Sequence, residues 1–161
     1  MATRTKRASD SLPRGFHQPE IDFLILADRA EGINGKLYLM GGGWQELYVS
    51  DFDHPAPVSL AVGVLVPWNA TNQDHTLKVY LEHEDGTRLP PDVSLQLNAG
   101  RPPGAVPGQS FRAIVAINGN WKLLGPRMYR AIAVVGDTTP RYAAFRALPM
   151  PGQVPKAGEP E

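Results

Sequence analysis

The chain contains no cysteine among its 161 residues. This absence excludes disulfides, thiolate zinc sites and cysteine nucleophiles, and it is compatible with a reducing cytoplasm. A single domain of this length buries roughly 68–70% of the surface of its unfolded chain, so a core can form without covalent cross-links. The composition therefore predicts a cytoplasmic domain that uses no thiol chemistry.

Long apolar runs and an excess charge of either sign are missing as well. No apolar stretch follows the basic N-terminus, so we expect neither a secretory signal nor a membrane span. Lysine plus arginine and aspartate plus glutamate number 16 each, which makes the formal net charge zero. Nucleic-acid binders usually carry a basic excess that neutralises phosphates, so this partner class is disfavoured. Zero net charge also removes mutual repulsion and favours self-association.

Helical periodicity is absent too, and short alternating segments take its place. Glycine and proline number 16 each, and turn signals recur about every eight to twelve residues, as in small all-β domains. The pattern predicts an all-β fold, an immunoglobulin-like antiparallel β-sandwich of about eight strands. Ten segments, three of them short (44–49, 88–89 and 93–97), are candidates for these strands. The other seven are 21–27, 36–41, 58–66, 76–83, 111–117, 128–135 and 141–148.

The clearest local signal is Asn34-Gly35, which lies between two predicted strands. Asn-Gly in that position favours a type I′ turn, because both central residues need positive φ. The second strand of this hairpin runs into Gly41-Gly42-Gly43, which we interpret as a bulge or wide turn. Segment 58–66 alternates apolar and small residues, so one of its faces points at the core.

Two later features favour a sandwich over a barrel. Tyr129 begins a late strand, where immunoglobulin-like sandwiches often bond a tyrosine hydroxyl to nearby backbone. The proline-rich segment 100–108 fits a stiff crossover between two sheets, and a polyproline ligand for a partner's aromatic groove is the alternative. The residues of the late strand that are predicted to face inward are Tyr129, Ala131, Ala133 and Val135.

The ends of the chain differ in composition from the middle. Residues 1–18 are basic and polar without an apolar period, which predicts a disordered arm. Residues 149–161 are rich in proline, glycine and charge, which predicts a disordered tail. A single β-sandwich domain is expected over residues 19–148.

The histidines and acidic residues show no pattern typical of a catalytic or metal site. No H-x-H or H-E-x-x-H pair occurs, and the acids near Asp51 and Asp85 lack the spacing of a calcium loop. We interpret the four histidines as exposed residues beside solvated acids, so we predict no catalytic residue, metal or cofactor. A metal-dependent hydrolase that uses His54, His83 and neighbouring acids is kept as an alternative.

The three tryptophans each lie near a predicted strand end. There a large ring either plugs the open end of a sandwich or remains exposed for stacking. Trp44 and Trp68 are the best surface candidates, because polar loop residues follow both. The residues predicted to take part in an interaction are Trp44, Tyr48, Trp68 and Arg101.

Five segments together resemble a family of small bacterial all-β proteins of unknown function. The resemblance covers about residues 23–148. It implies a compact all-β domain in a bacterial protein, and it brings no activity, substrate or catalytic residue. The segments are Ala27-Asp28-x-Ala30, Gly35-Lys36-Leu37-Tyr38, Gly41-Gly42-Gly43-Trp44, Val66-Pro67-Trp68-Asn69 and Gly100-Arg101-Pro102-Pro103.

These observations predict a non-enzymatic protein–protein interaction or structural module. Its sheet faces or edges would dock on a protein partner, which includes a second copy of the chain. The alternative is a carbohydrate or small-molecule binding module in which Trp44, Trp68 and Tyr48 line one groove.

Overall fold

A computed structural model describes residues 17–152 and contains nine β-strands and one short 3-10 turn. The predicted basic arm lies outside the described residues except for its last two positions, and so does the predicted tail beyond Gly152. Within the described part of the chain, no helix is long and apolar enough to cross a membrane. The strands are β1 (Glu20–Ile33), β2 (Lys36–Gly42), β3 (Glu46–Val49), β4 (Ala56–Val66), β5 (Asp74–His83), β6 (Arg88–Asn98), β7 (Phe111–Trp121), β8 (Met128–Val135) and β9 (Arg141–Pro149).

The strands form two sheets that pack face to face. The first contains four antiparallel strands in the order β2-β1-β4-β7. The second contains five strands in the order β3-β9-β8-β5-β6, and only β3, which runs parallel to β9, departs from antiparallel pairing. The predicted all-β sandwich is therefore confirmed, with nine strands instead of about eight.

The strand order is that of an immunoglobulin-like domain. Strands β1, β4 and β7 take the places of strands A, B and E, while β5, β8 and β9 take those of C, F and G. Strand β6 extends the second sheet beside β5. Strands β2 and β3 are additions between the first two strands of this framework, and each lies at a sheet edge.

The core lies between the two sheets. Because side chains alternate along a strand, every second side chain points into this space. The face of β4 that the sequence predicted to be apolar is buried, and its small-residue face is buried as well. On β8 the four predicted inward residues, from Tyr129 to Val135, are at most 1% exposed, which confirms that prediction. The largest fully buried side chains are Trp121, Tyr129, Phe145, Leu60, Leu77, Leu81 and Leu123.

Strand bounds differ from the prediction at two places. Strand β1 continues to Ile33, because its second half pairs with β2 across the Asn34-Gly35 turn. Strand β6 is continuous through Pro90-Pro91, where two short strands were predicted. It is an edge strand, and prolines are tolerated there because one row of backbone N–H groups needs no strand partner. The segment between β6 and β7 passes from one sheet to the other, as predicted.

The outer half of the β1–β2 hairpin is held to the first sheet by side chains. Strand β1 pairs with β4 only as far as Ala27. Beyond this point the Asn118 amide donates to the Ala30 carbonyl at 2.9 Å, and its oxygen accepts from the Ala30 N–H at 3.1 Å. The Ser59 hydroxyl donates to the Asp28 carbonyl at 3.0 Å. These bonds position β2, which has no strand partner on its outer side among residues 17–152.

The Tyr129 hydroxyl makes the backbone contacts that the sequence predicted. It donates to the Gly125 carbonyl and accepts from the Leu124 N–H, both at 2.8 Å. Burial of the phenol raises the pKa of Tyr129. The side chain therefore fastens the connection between β7 and β8 onto the core, as the tyrosine corner of immunoglobulin-like domains does.

Candidate binding groove

An open groove, here called the aromatic groove, lies on the outer face of the second sheet where β3, β9 and β8 adjoin. Its volume is about 800 Å³. The strand register places Glu46 beside Arg146 and Arg146 beside Met128, so one row of the sheet supplies three lining residues. Tyr48 follows two positions along β3 on the same face. The other lining residues are Gly43, Trp44, Gln45 and Ala144.

The aromatic groove combines exposed apolar side chains with opposite charges. Tyr48 is 48% exposed and Met128 is 42% exposed. The Tyr48 hydroxyl donates to the Glu46 carboxylate at 3.3 Å, and Arg146 extends from the neighbouring strand. Tyrosine, methionine and arginine are the residue types that protein interfaces favour. The groove therefore presents apolar side chains beside a carboxylate and a guanidinium group.

Trp44 forms one wall of the aromatic groove and also closes the edge of the core. Its ring is half-buried and meets Phe145 edge to face, with ring centroids 5.6 Å apart and planes at 89°. The indole Nε1 is buried and has no hydrogen-bond partner among residues 17–152. Trp44 therefore does both things that the sequence left open: its ring packs against the core, and part of the ring remains exposed in the groove.

The glycines before Trp44 set its position. Gly41 has φ of +56° and Gly43 has φ of +81°, a region that L side chains rarely adopt. A Cβ at Gly41 would also collide with the Asp28 carboxylate. The Gly43 N–H donates to the Leu26 carbonyl at 2.7 Å. The predicted wide turn is confirmed, and it carries the chain from β2 in the first sheet to β3 in the second.

Met128 and Arg146 were not among the residues predicted to take part in an interaction. Alternation along the two strands places both on the outer face, because their neighbours Tyr129 and Ala147 point inward. That signal was present in the sequence. Their place in the same groove as Tyr48 depends on the parallel pairing of β3 with β9, which no local pattern indicates.

Trp68 and Arg101 come together at the opposite end of the sandwich. The Arg101 guanidinium lies 3.9 Å above the Trp68 ring. Its Nε donates to the Thr71 hydroxyl at 2.6 Å, and its terminal nitrogen donates to the Trp68 carbonyl at 2.9 Å. The pair fastens the β6–β7 crossover to the turn after β4. The four predicted interaction residues thus form two separate pairs, and Trp68 does not line the aromatic groove.

A second groove of about 810 Å³ lies at this same end of the sandwich. It separates residues 17–21, which lead into β1, from residues 137–141, which connect β8 and β9. Its lining is mixed and includes Asp137, Thr138 and Arg141. It contains none of the residues that the sequence predicted for an interaction.

The histidines lie in separate local contacts. His54 is exposed, with Nδ1 2.5 Å from the Asp51 carboxylate. His75 is half-buried, and its Nε2 lies 2.7 Å from the Ala70 carbonyl. Over residues 17–152, no group of three histidine, aspartate or glutamate side chains is close enough to hold a metal ion.

The interpretation of His83 as an exposed loop residue is wrong, since this side chain is only 5% exposed. Its ring packs edge to face on Tyr129 with centroids 5.7 Å apart, and Nε2 lies 3.3 Å from an Arg127 guanidinium nitrogen. The alternation of β5 already indicated this position, because Leu77, Val79 and Leu81 face inward and His83 is next in that row.

Asp85 follows His83 and leads to a pH prediction. Its carboxylate accepts the Thr87 N–H at 2.8 Å and lies 3.2 Å from the His83 ring. Hydrogen bonding from Thr87, with a smaller effect of His83, lowers the pKa of Asp85 to about 2. Because the unfolded value is about 3.9, the ionised carboxylate stabilises the fold above about pH 4, and this contribution is lost as the pH falls towards 2.

We expect Asp85→Asn to flatten the pH dependence of the unfolding free energy between about pH 2 and 4. Urea denaturation at a series of pH values measures it. Some dependence should remain from Asp51, whose pKa is lowered first by the Asp53 N–H and then by His54. A slope equal to that of the wild type would contradict the prediction.

The two packed sheets, their strand order and the tyrosine corner define an immunoglobulin-like β-sandwich domain. The model of DUF6941, a family of unknown function, matches residues 22–147, and the chain belongs to this family. The match runs from β1 to β9, and it confirms the resemblance to a family of unknown function that the sequence motifs indicated. No curated protein matches the chain.

Proposed function

We propose that this protein is a non-enzymatic protein-binding module of the bacterial cytoplasm and that the aromatic groove binds its partner. The observation that carries the proposal is the pair of large exposed side chains, Tyr48 and Met128, which both line one concave surface. Exposed aromatic and methionine groups in such a position are typical anchors of a protein interface. The cytoplasmic location is part of the proposal and is supported by the cysteine-free composition.

The open shape of the aromatic groove favours a polypeptide over a small molecule. Small-molecule sites usually enclose most of the ligand surface. This groove instead lies on the outer face of three strands, β3, β9 and β8. An extended partner segment can cross these strands and place side chains of one of its faces over Tyr48 and Met128. Glu46 and Arg146 then lie beside the apolar contact, where they can bond to polar groups of the partner.

The two histidines that a hydrolase would need lie in different surroundings, which supports binding over catalysis. His54 pairs with Asp51 in an exposed loop. His83 is buried under Arg127 and Tyr129. A carbohydrate-binding role remains the second candidate, because Trp44 and Tyr48 line the same groove and sugars stack on exposed rings.

A displayed library of random peptides tests the proposal. We expect peptides with an apolar anchor to be enriched on the folded chain. Tyr48→Ala should weaken their binding at least about tenfold, which corresponds to a loss of about 1.4 kcal/mol. Met128→Ala should act in the same direction. Isothermal titration with the enriched peptides measures both effects.

Tyr142→Ala is the matched control, because this tyrosine is 64% exposed on β9 but does not line the aromatic groove. It should leave peptide affinity unchanged. Equal binding by the wild type and Tyr48→Ala would contradict the proposal. A glycan array that responds to Tyr48→Ala, with no peptide enriched, would favour the carbohydrate-binding role instead.

A further inference from the structure

Strand β2 leaves one edge of the first sheet unpaired within residues 17–152. This seven-residue strand contains no proline and no acidic residue. Tyr38 is 52% exposed and Met40 is 63% exposed, and alternation places both on the same face. A free edge that also exposes large apolar side chains is a template for another strand.

The other three sheet edges of the described residues are less suited to pairing. Strand β3 is only four residues long. Strand β6 contains Pro90-Pro91 and Asp92, which are devices that protect an edge. Strand β7 is longer, but it exposes only polar side chains, and one of them, Asn118, is already bonded to Ala30. The exposed residues of β7 are Arg112, Asn118 and Asn120.

We propose that two copies of this protein pair through their β2 strands, antiparallel, about a twofold axis at Leu39. The pairing joins two four-stranded sheets into one continuous sheet. A twofold axis uses the same patch on both copies and closes the assembly at a dimer. The surface shares no residue with the aromatic groove, so the two proposals succeed or fail separately.

The side chains of β2 select this register. A twofold axis at Leu39 places Tyr38 opposite the partner's Met40, and symmetry repeats this contact once. Each contact between a thioether and an aromatic ring stabilises the dimer by about 0.3–1.5 kcal/mol. An axis at Tyr38 would place Met40 opposite the partner's Lys36. An axis at Met40 would place Tyr38 opposite the partner's Gly42. Only the axis at Leu39 covers both exposed apolar side chains with apolar ones.

The charge of β2 does not oppose pairing in the same register. Lys36, the only charged residue of the strand, lies opposite the partner's Gly42, so no like charges of the two strands face each other. The zero net charge of the chain removes long-range repulsion between the copies.

We expect a weak dimer, because two seven-residue edges bury less than the roughly 800 Å² per partner of a standard interface. A Kd of roughly 10–500 μM is the corresponding range. Sedimentation equilibrium of the full chain from about 5 μM to 1 mM measures it. As a second measurement, amide hydrogen exchange in β2 should slow as the protein concentration rises.

Two single substitutions test the register without disturbing the hairpin. Tyr38→Lys places a cation opposite Glu31 of the same chain, and Met40→Glu places a carboxylate opposite Arg29. Both variants are therefore compatible with their own β1 neighbour. Across the dimer, however, each sets a charge against an apolar side chain of the partner. Each should raise the Kd at least about tenfold.

Combining the two substitutions should restore dimerisation. In the double variant, the introduced lysine lies opposite the glutamate introduced in the other copy, and an equimolar mixture of the single variants forms the same pair once. A register centred on Tyr38 would set lysine against lysine and give no recovery. If the double variant dimerises more tightly than the sum of the two single effects on the Kd predicts, the two side chains are energetically coupled. Direct contact between them produces such coupling.

Two controls separate this proposal from the preceding one. Tyr142→Lys and Tyr48→Ala should leave the dimer Kd unchanged, while Tyr38→Lys should leave peptide binding to the aromatic groove unchanged. A strict monomer up to about 1 mM overturns the dimer. Single variants that associate like the wild type, or a double variant that does not recover, overturn the pairing at Leu39. None of these results affects the peptide test of the aromatic groove.

Discussion

Trp121→Ala is expected to lower the unfolding free energy by about 3–5 kcal/mol, the usual cost of truncating a buried large aromatic. The side chain is fully buried. Its ring covers Gly119, where a Cβ would lie 2.5 Å from ring atoms, and its Nε1 donates to the Pro91 carbonyl at 3.1 Å. Trp121 belongs to the first sheet and Pro91 to the second, so the truncation opens a cavity and removes a bond between the sheets.

Urea denaturation monitored by circular dichroism measures this loss. Trp121→Phe serves as the graded comparison, because it keeps part of the ring volume but removes the donor, so its cost should be the smaller of the two. A loss below about 1 kcal/mol for the alanine variant would mean that the surrounding core collapses around the site, and it would contradict the expectation.

Tyr129→Phe should cost about 2–4 kcal/mol, although it removes only one oxygen atom. The hydroxyl is the partner of both the Gly125 carbonyl and the Leu124 N–H. Without it these two groups of the β7–β8 connection lose a hydrogen-bond partner, and a buried group left unpaired, as the Gly125 carbonyl would be, costs about 1–3 kcal/mol. The effect should appear as a lower midpoint in urea with an unchanged slope.

Tyr142→Phe is the matched control for Tyr129→Phe, since the two residues lie on adjacent strands of the same sheet. Tyr142 is 64% exposed, and its hydroxyl makes no hydrogen bond to the described residues. The control should change the unfolding free energy by less than about 0.5 kcal/mol. Equal costs for the two variants would show that the corner hydroxyl does not stabilise this fold.

Both proposed binding surfaces use the segment that this domain adds to the immunoglobulin framework, and the aromatic groove also uses Met128 and Arg146 of framework strands β8 and β9. Strand β2 carries the edge for a second copy, and β3 carries Tyr48 of the aromatic groove. Gly43 and Trp44 join them. The framework strands supply the rigid support, which explains how one inserted segment of the chain can present two independent surfaces on different sheets.

Most of the fold was predictable from local patterns. The Asn34-Gly35 hairpin, the inward valines of β4 and the Tyr129 corner all appeared where the sequence indicated them. Each depends on backbone geometry or on alternation over a few residues, which neighbours in the chain specify. The error at His83 came from its acidic neighbours, which suggested exposure, although the period of β5 indicated burial.

The candidate sites were less predictable, because they depend on contacts between distant segments. The sequence identified Trp44, Tyr48, Trp68 and Arg101 by residue type and loop context. It did not separate them into two pairs at opposite ends of the sandwich. That separation follows from the turn at Gly43, which leads β3 to the far end of β9.

The amino-acid sequence by itself determined the all-β class, the strand positions, the inward faces and the family. Those properties follow from the period of two and from turn chemistry, both of which act between near neighbours. Only the tertiary structure decided that β3 pairs in parallel with β9, that Met128 and Arg146 line the same groove as Tyr48, and that β2 is the outermost strand of the first sheet. The physical reason is that strand partners and sheet edges are selected by packing of the whole core, since the backbone of every strand offers the same hydrogen bonds to any neighbour.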